Sequence, residues 1–277
     1  MTNKCFYHHR FQYLIPSIPK EWIISSQPIV DKTMLWDLKD TQVWWEYHDG
    51  ILPSMGQEST ERLNLCWEAR NKDKRFIYVK PNLSQTQSLG FFELAKQNNF
   101  ELLTSPKWSY YHDVYRHINN VREEVKKFRN TNNFIETTIV FCGSTTGFNG
   151  HYDARKYYID KSREYWGTNF SIHTGLGPKQ YVDVLKMAAY AIQPHGGGLR
   201  HATYESMALG IPSLIPESSY IDNITRGCNI VFSEFENIVY DINSIEYKEL
   251  SQKCIDAWET HMTSQSIVDC VLKQIKE

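Results

Sequence analysis

Nothing in this sequence approaches the roughly 18 consecutive apolar residues of a membrane-spanning helix. The charged opening, Met1-Thr-Asn-Lys-Cys-Phe-Tyr-His-His-Arg10, leads into no apolar segment, so no secretory leader is expected. The six cysteines, Cys5, Cys66, Cys142, Cys228, Cys254 and Cys270, form no Cys-x-x-Cys pair. Their scatter speaks against zinc knuckles and a dense disulfide framework, and points to reduced thiols in a soluble, cytoplasmic protein. Excess positive charge is missing as well: 30 Lys and Arg against 32 Asp and Glu leave a formal net charge of −2. A binder of nucleic acid or an anionic membrane needs a basic field that this chain does not carry. The sequence contains no Asp-x-Asp, no His-Glu-x-x-His, no Gly-x-Ser-x-Gly and no glycine loop ending in Gly-Lys-Ser/Thr. These gaps argue against a dicarboxylate metal–diphosphate grip, a zincin, a serine hydrolase and a P-loop enzyme. No metal ligands and no resident cofactor are expected.

What is present is length and patterning. The 277 residues suit two domains. The 8 Trp and 17 Tyr serve either core packing or the stacking of sugars and bases. In the first half, strands are expected over 42–48, Arg75–Pro81 and 100–103, with helices over 60–71, 88–98 and 110–129. Asn130-Thr-Asn-Asn133 is a polar, turn-prone linker. The second half alternates more regularly, with strands over 137–142, 169–173 and 229–232 and two short apolar strands flanking a glycine loop and helix within 190–217. Helices are expected over 153–165, 180–189, 199–209, 245–259 and 262–275. Such alternation predicts an α/β fold with parallel strands covered on both faces. Ligands of such sheets sit beyond the carboxyl ends of the strands.

The most informative stretch is Gln193-Pro-His-Gly-Gly-Gly-Leu-Arg-His-Ala-Thr-Tyr-Glu205, where a strand runs through three glycines into a helix that stops at Gly210. Gly196, Gly197 and Gly198 let an anion approach bare backbone N–H groups at a helix N-terminus. His195 and Arg200 add donors, Arg200 with a fork that suits a phosphate. The dinucleotide fingerprint is not met, because His201 stands where its third glycine would be. Glu205 lies one turn beyond His201 on the same helix face. It is either a carboxylate for the hydroxyls of a ribose or an exposed helix former. Gly143, Ser144 and Thr145 form a small-residue loop after a strand, suited to a phosphate or a sugar, or simply a strand exit. Arg155 and Lys156 follow near the start of a helix, where cations oppose the dipole unless an anion is near. Thr174, Gly175 and Leu176 form a loop that could run along a nucleobase edge, with Tyr181 packing nearby. For a general base, His48 and Asp49 stand at the exit of an aromatic strand, and His112-Asp113 is a second such pair.

The second half resembles the donor-binding domain of GT-B glycosyltransferases, in particular the exostosin-like family. The resemblance lies in Val140-Phe-Cys-Gly-Ser-Thr145, in Arg155, and in the tyrosine helix that runs from Tyr181 to Pro194. Its specific part is Arg200-His-Ala-Thr-Tyr-Glu205 followed by Gly210-Ile-Pro212. It implies two Rossmann-like domains with a ligand cleft between them: 1–133 on the acceptor side, 134–260 on the donor side, and a terminal helix over 261–277 packing back on the first. It further implies an inverting, metal-independent transfer from a UDP-sugar to a glycan hydroxyl. Glu205 would hold the ribose, while Arg155, Arg200 and the loop His195, Gly196, Gly197 and Gly198 hold the diphosphate. The compact form is similar to the soluble xylosyltransferases of large algal viruses, which makes UDP-xylose the first donor to consider. A nicotinamide-dependent oxidoreductase and a non-catalytic, sugar-binding relic of the same fold are the competing readings.

Overall fold

Short runs of Val, Ile, Phe, Tyr and Trp set the strands of two parallel sheets. The computed structural model describes residues 4–8, 12–21, 23–25, 41–45, 75–81, 101–105, 112–130, 138–145, 150–194, 201–219, 221, 223–236 and 238–276. The chain divides into two units, one formed by Met1–Tyr110 with Ser264–Glu277, the other by Tyr111–Thr263.

In the first unit, β1 (Lys4–His8), β2 (Ile23–Ser25), β3 (Thr41–Trp45), β4 (Arg75–Pro81) and β5 (Glu101–Ser105) lie in the order β2-β1-β3-β4-β5. Every pairing is parallel, and Val43 is in register with Phe6 on one side and Ile77 on the other. The helices expected over 60–71 and 88–98 lie outside the described residues. The last helix of the chain, Ser264–Lys276, packs against β5 and the 3-10 turn Gln12–Ser17. Ile267, Val268, Val271 and Ile275 recur at helical spacing and are buried, as is Leu14 of the turn. The Ser17 and Ser264 hydroxyls meet at 3.0 Å.

The second unit runs α1 (His112–Asn130), β6 (Ile139–Cys142), α2 (Gly150–Trp166), β7 (Phe170–His173), α3 (Pro178–Met187), β8 (Tyr190–Ile192) and α4 (His201–Ala208). It continues with β9 (Ser213–Pro216), α5 (Asn223–Arg226), β10 (Ile230–Phe232) and α6 (Ile245–His261), after which Ser264–Lys276 is α7. By sequence position α1 belongs with the first half, yet it groups with the second unit and packs on α3 and α4. The sheet order is β10-β9-β8-β6-β7, again with parallel pairings throughout. All four residues of β6 and all four of β9 are buried, as a strand covered on both faces requires. After β7 the chain reverses direction across the sheet. Right-handed crossovers then put α2 on one face and α3 and α4 on the other.

Ile139, Phe141, Ile192 and Leu214 form the middle of the core, with Tyr190 and Tyr247 edge-on at 5.3 Å. The Tyr190 hydroxyl donates to the Tyr240 carbonyl at 3.1 Å and accepts from the Tyr240 N–H at 2.9 Å. Burial pushes this phenol above its ordinary range. Among the described cysteines, Cys142, Cys228, Cys254 and Cys270 are thiols.

Two devices fix the helices. At the end of α4, Ile211 N–H donates to the Ser206 carbonyl and Gly210 N–H to the Met207 carbonyl, both at 3.0 Å. This is the Schellman pattern, and Gly210 at φ 64° supplies its left-handed residue. Between α1 and α6, Arg122 and Lys126 both donate to Glu259, and the Arg122 guanidinium lies 4.7 Å from the centre of the Trp258 ring. The Lys126 ammonium bonded to Glu259, with Arg122 beside it, holds this carboxyl below its usual range. A lowered carboxyl stabilises the fold above its ordinary pKa of about 4.3, and that contribution is lost as pH falls through the folded value. Glu259→Gln is therefore expected to cost about 0.5–1 kcal/mol at pH 7, modest because the side chain is part-exposed. The difference from the parent should shrink below roughly pH 4, as read by urea unfolding against pH.

Candidate functional site

Parallel strands all exit on one edge of the second sheet, so the loops after Cys142, His173, Ile192 and Pro216 share that edge. The connection order reverses between the neighbours β6 and β8, the point at which ligands of open α/β sheets bind. Residues 143–145 follow β6. Gln193 and Pro194, both buried, follow β8. His195, Gly196, Gly197, Gly198 and Arg200 come next in the sequence and lie outside the described residues, as do His48 and Asp49.

The loop after β6 is built on Gly143, whose φ of 148° suits glycine alone. Its N–H donates to the His173 carbonyl at 3.0 Å, which ties the exit of β6 to the exit of β7. The Ser144 carbonyl accepts from Arg155 Nη1 at 2.8 Å. Because α2 begins at Gly150, Arg155 stands in its second turn rather than at its start. It is 9% exposed, and its guanidinium is anchored on the Ser144 backbone. Lys156 is exposed. Sequence spacing placed the two cations together, and the structure separates them.

The loop after β7 holds exposed Thr174 and Gly175 and half-buried Leu176, with Gly175 at φ 68°. It ends in a firm helix start: Pro178 at the first helical position, and the Gly177 N–H donating to the Gln180 side chain at 3.1 Å. Buried Val182 and Leu185 fix the rotation of α3. In its first turn, Tyr181 donates its hydroxyl to Glu205 Oε2 at 2.7 Å. The helices α3 and α4 thus meet through these two side chains.

α4 has no solvent face, because Ala202 through Ala208 are all buried. Glu205 is 5% exposed, so it is not a surface helix former. A carboxylate in such a place is costly unless hydrogen-bonded, and Tyr181 provides a charge-assisted partner. Ser206 is satisfied by the Ala202 carbonyl at 2.7 Å. Two polar residues at this edge escape sequence reasoning: Gln193, buried at the mouth of β8, and Thr203, fully buried in the first turn of α4. A polar residue between an apolar strand and a proline was the only signal for Gln193. Among the described residues, no three His, Cys, Asp or Glu side chains gather as a metal ligand set. Nor is any described helix long and apolar enough to cross a membrane.

No family model and no curated protein matches the chain. Solved structures do match along its whole length. The N-terminal domain of Candida albicans trehalose-6-phosphate phosphatase aligns over 100% of this chain and 97% of its own, with a TM-score of 0.54 at 9% identity. The fold is GT-B. HepE from Anabaena, in a complex with UDP and glucose, covers 100% of both chains with a TM-score of 0.51 at 8% identity. A glycosyltransferase from Rickettsia africae covers 99% of this chain and 98% of its own, with a TM-score of 0.51 at 7% identity. At such identities the likeness is one of GT-B architecture, and the chemistry has to be argued from the residues of this chain.

Proposed function

We propose that the chain is a glycosyltransferase that takes a UDP-sugar in its second unit and transfers the sugar to a glycan hydroxyl with inversion. The observation that carries this reading is the bond from Tyr181 to the buried Glu205 on the exit edge of the sheet, one helix turn past His201 at the start of α4. A carboxylate held there accepts from the two hydroxyls of a ribose. Arg200, Arg155 and the segment His195, Gly196, Gly197 and Gly198 take the diphosphate at the N-terminus of α4. Gly143, Ser144 and Thr145 line the sugar side. Thr174, Gly175 and Leu176 run along the base. The GT-B fold supports the reading, and so does the UDP and glucose complex of its structural neighbour HepE.

In the proposed reaction the acceptor oxygen attacks the anomeric carbon, His48 or Asp49 takes its proton, and UDP departs. Arginine and backbone N–H groups stabilise the charge on the leaving diphosphate, a role that needs no Asp-x-Asp metal grip. UDP-xylose is the first donor to try.

The test is a thermal-shift and calorimetry panel of nucleotides and nucleotide-sugars. UDP at a hundredfold excess over its Kd should stabilise the protein by about 2.7 kcal/mol. Arg200→Ala should weaken UDP at least about tenfold, from loss of a charge-assisted contact. Turnover of the preferred donor should survive a chelator. Indifference to every uridine nucleotide would overturn the proposal, and stabilisation by NAD alone would favour an oxidoreductase.

A further inference from the structure

We infer that the exposed side of α2 carries a second binding site, a strip built on Tyr157 and Tyr165 that takes an uncharged oligosaccharide chain. The strip uses no residue assigned to the donor site above, so it stands independently of that reading.

Among the described residues of α2, the large apolar side chains open to solvent are Tyr157 and Tyr165, 56% and 48% exposed. With Lys161 four residues from each, they follow the spacing that lines one side of a helix. At roughly 1.5 Å of rise per residue the two rings stand about 12 Å apart along the axis. Both rings are backed by others. Tyr157 meets Tyr158 edge-to-face with centres 5.2 Å apart, and Tyr165 meets Trp166 in the same way at 5.8 Å and Phe235 at 6.1 Å. The backing rings are themselves fixed. The Tyr158 hydroxyl shares a hydrogen bond of 3.0 Å with Ser218, and Phe235 lies 5.3 Å from Trp166 and 5.0 Å from buried Phe232. Rings held this way offer flat contact area at little cost in conformational entropy.

Charge selects the occupant. Lys161, between the two rings, donates to Glu164 at 2.7 Å, and Arg163 faces Asp160 at 3.5 Å, so the charges of this stretch cancel in pairs. Glu234 and Glu236, on either side of Phe235, are exposed and add negative charge. An anionic membrane or a sulfated glycan would find no net positive charge here. A plain apolar partner would have to desolvate the ion pair that lies between the rings. A neutral sugar chain matches every part. The C–H faces of its rings lie on the tyrosines, while its hydroxyls donate to the Glu164 and Asp160 carboxylates and accept from Lys161. A chain held there stays near the protein at a raised effective concentration.

The test is saturation-transfer NMR and calorimetry with xylohexaose, cellohexaose, mannohexaose and laminarihexaose, and a heparin hexasaccharide as the anionic control. At least one neutral hexasaccharide should bind, and bind better than the heparin fragment. Tyr157→Ala together with Tyr165→Ala should weaken it at least about fivefold, the scale of two lost ring contacts, whereas Phe at both positions should keep it within about twofold. Should the double alanine variant not fold, Tyr157→Ala alone should cost at least about twofold. The inference is overturned by no binding of any neutral hexasaccharide at about 10 mM, by binding that the alanines leave unchanged, by equal loss in the phenylalanine pair, or by preference for heparin. It is also overturned if the alanines abolish binding to phosphatidylcholine vesicles, or self-association in sedimentation, and leave sugar binding intact. UDP affinity should be the same in every variant. Failure of the parent to bind any uridine nucleotide would overturn the donor reading and leave this site standing.

Discussion

Gly210→Ala should be among the most destabilising single substitutions of the second unit. Gly210 ends α4 at φ 64°, a conformation that costs a residue with a Cβ about 1–2 kcal/mol. The added Cβ would also stand 2.9 Å from Ile255 Cδ1 and 2.9 Å from Ser251 Oγ. Ser251 is held in place because its hydroxyl donates to the Gly210 carbonyl at 2.6 Å, so the two helices cannot part without losing that bond. Overpacking of this kind costs about 1–3 kcal/mol. Together the two effects amount to about 2–5 kcal/mol, and at roughly 2–4 °C per kcal/mol the melting temperature should fall by about 4–20 °C. Differential scanning calorimetry would check this, and a fall under about 2 °C would mean that α4 ends differently. Donor binding should suffer with it, since the same turn anchors the helix that carries Glu205.

Glu205→Gln is expected to do the reverse, removing ligand binding while sparing the fold. The amide is isosteric, and its oxygen still accepts from Tyr181. The desolvation cost of the carboxylate goes with its charge, while the bond from Tyr181 weakens from charge-assisted to neutral, so the two changes offset each other in the fold. What the proposed donor site would lose is the charge on two hydrogen bonds to a ribose, each such bond being worth about 1.5–3 kcal/mol. Affinity for UDP should therefore fall by about a hundredfold to ten-thousandfold, with the melting temperature unchanged or raised. Equilibrium binding and thermal unfolding on one preparation separate the two quantities. A variant that melts early and binds normally would make Glu205 a structural residue.

Much of this was legible in the sequence, and for identifiable reasons. Arg75–Pro81 is a strand at both of its expected ends, because β-branched and aromatic residues precede a proline that stops it. Gly210 ends its helix as a glycine past the last helical turn should. β1 was invisible: Lys4-Cys-Phe-Tyr-His8 mixes charge with apolar residues and shows no alternation. β2 is three residues long and offers no period to detect. The burial of Glu205 was equally hidden. An amphipathic pattern marks which face of a helix is dry, and α4 is dry on every face, so the sequence left open whether Glu205 was an exposed helix former. The bond from Tyr181 is non-local, and no spacing rule connects side chains on separate helices. The grouping of α1 with the second unit comes from its packing on α3 and α4, and from Arg122 and Lys126 meeting Glu259 with Arg122 also over Trp258, contacts between residues far apart in the sequence.

The placement of α7 has a consequence for synthesis. The second unit is one uninterrupted stretch, Tyr111–Thr263, whereas the first needs Ser264–Glu277 to cover β5 and the turn at Gln12–Ser17. Domains ordinarily fold in the order in which they leave the ribosome. Here the order is inverted at the finish: the half translated first waits, one helix short, until translation has passed residue 276. A nascent chain halted at Thr263 carries a finished second unit and a first unit with its α7-binding surface bare, a substrate for chaperones until the last helix arrives.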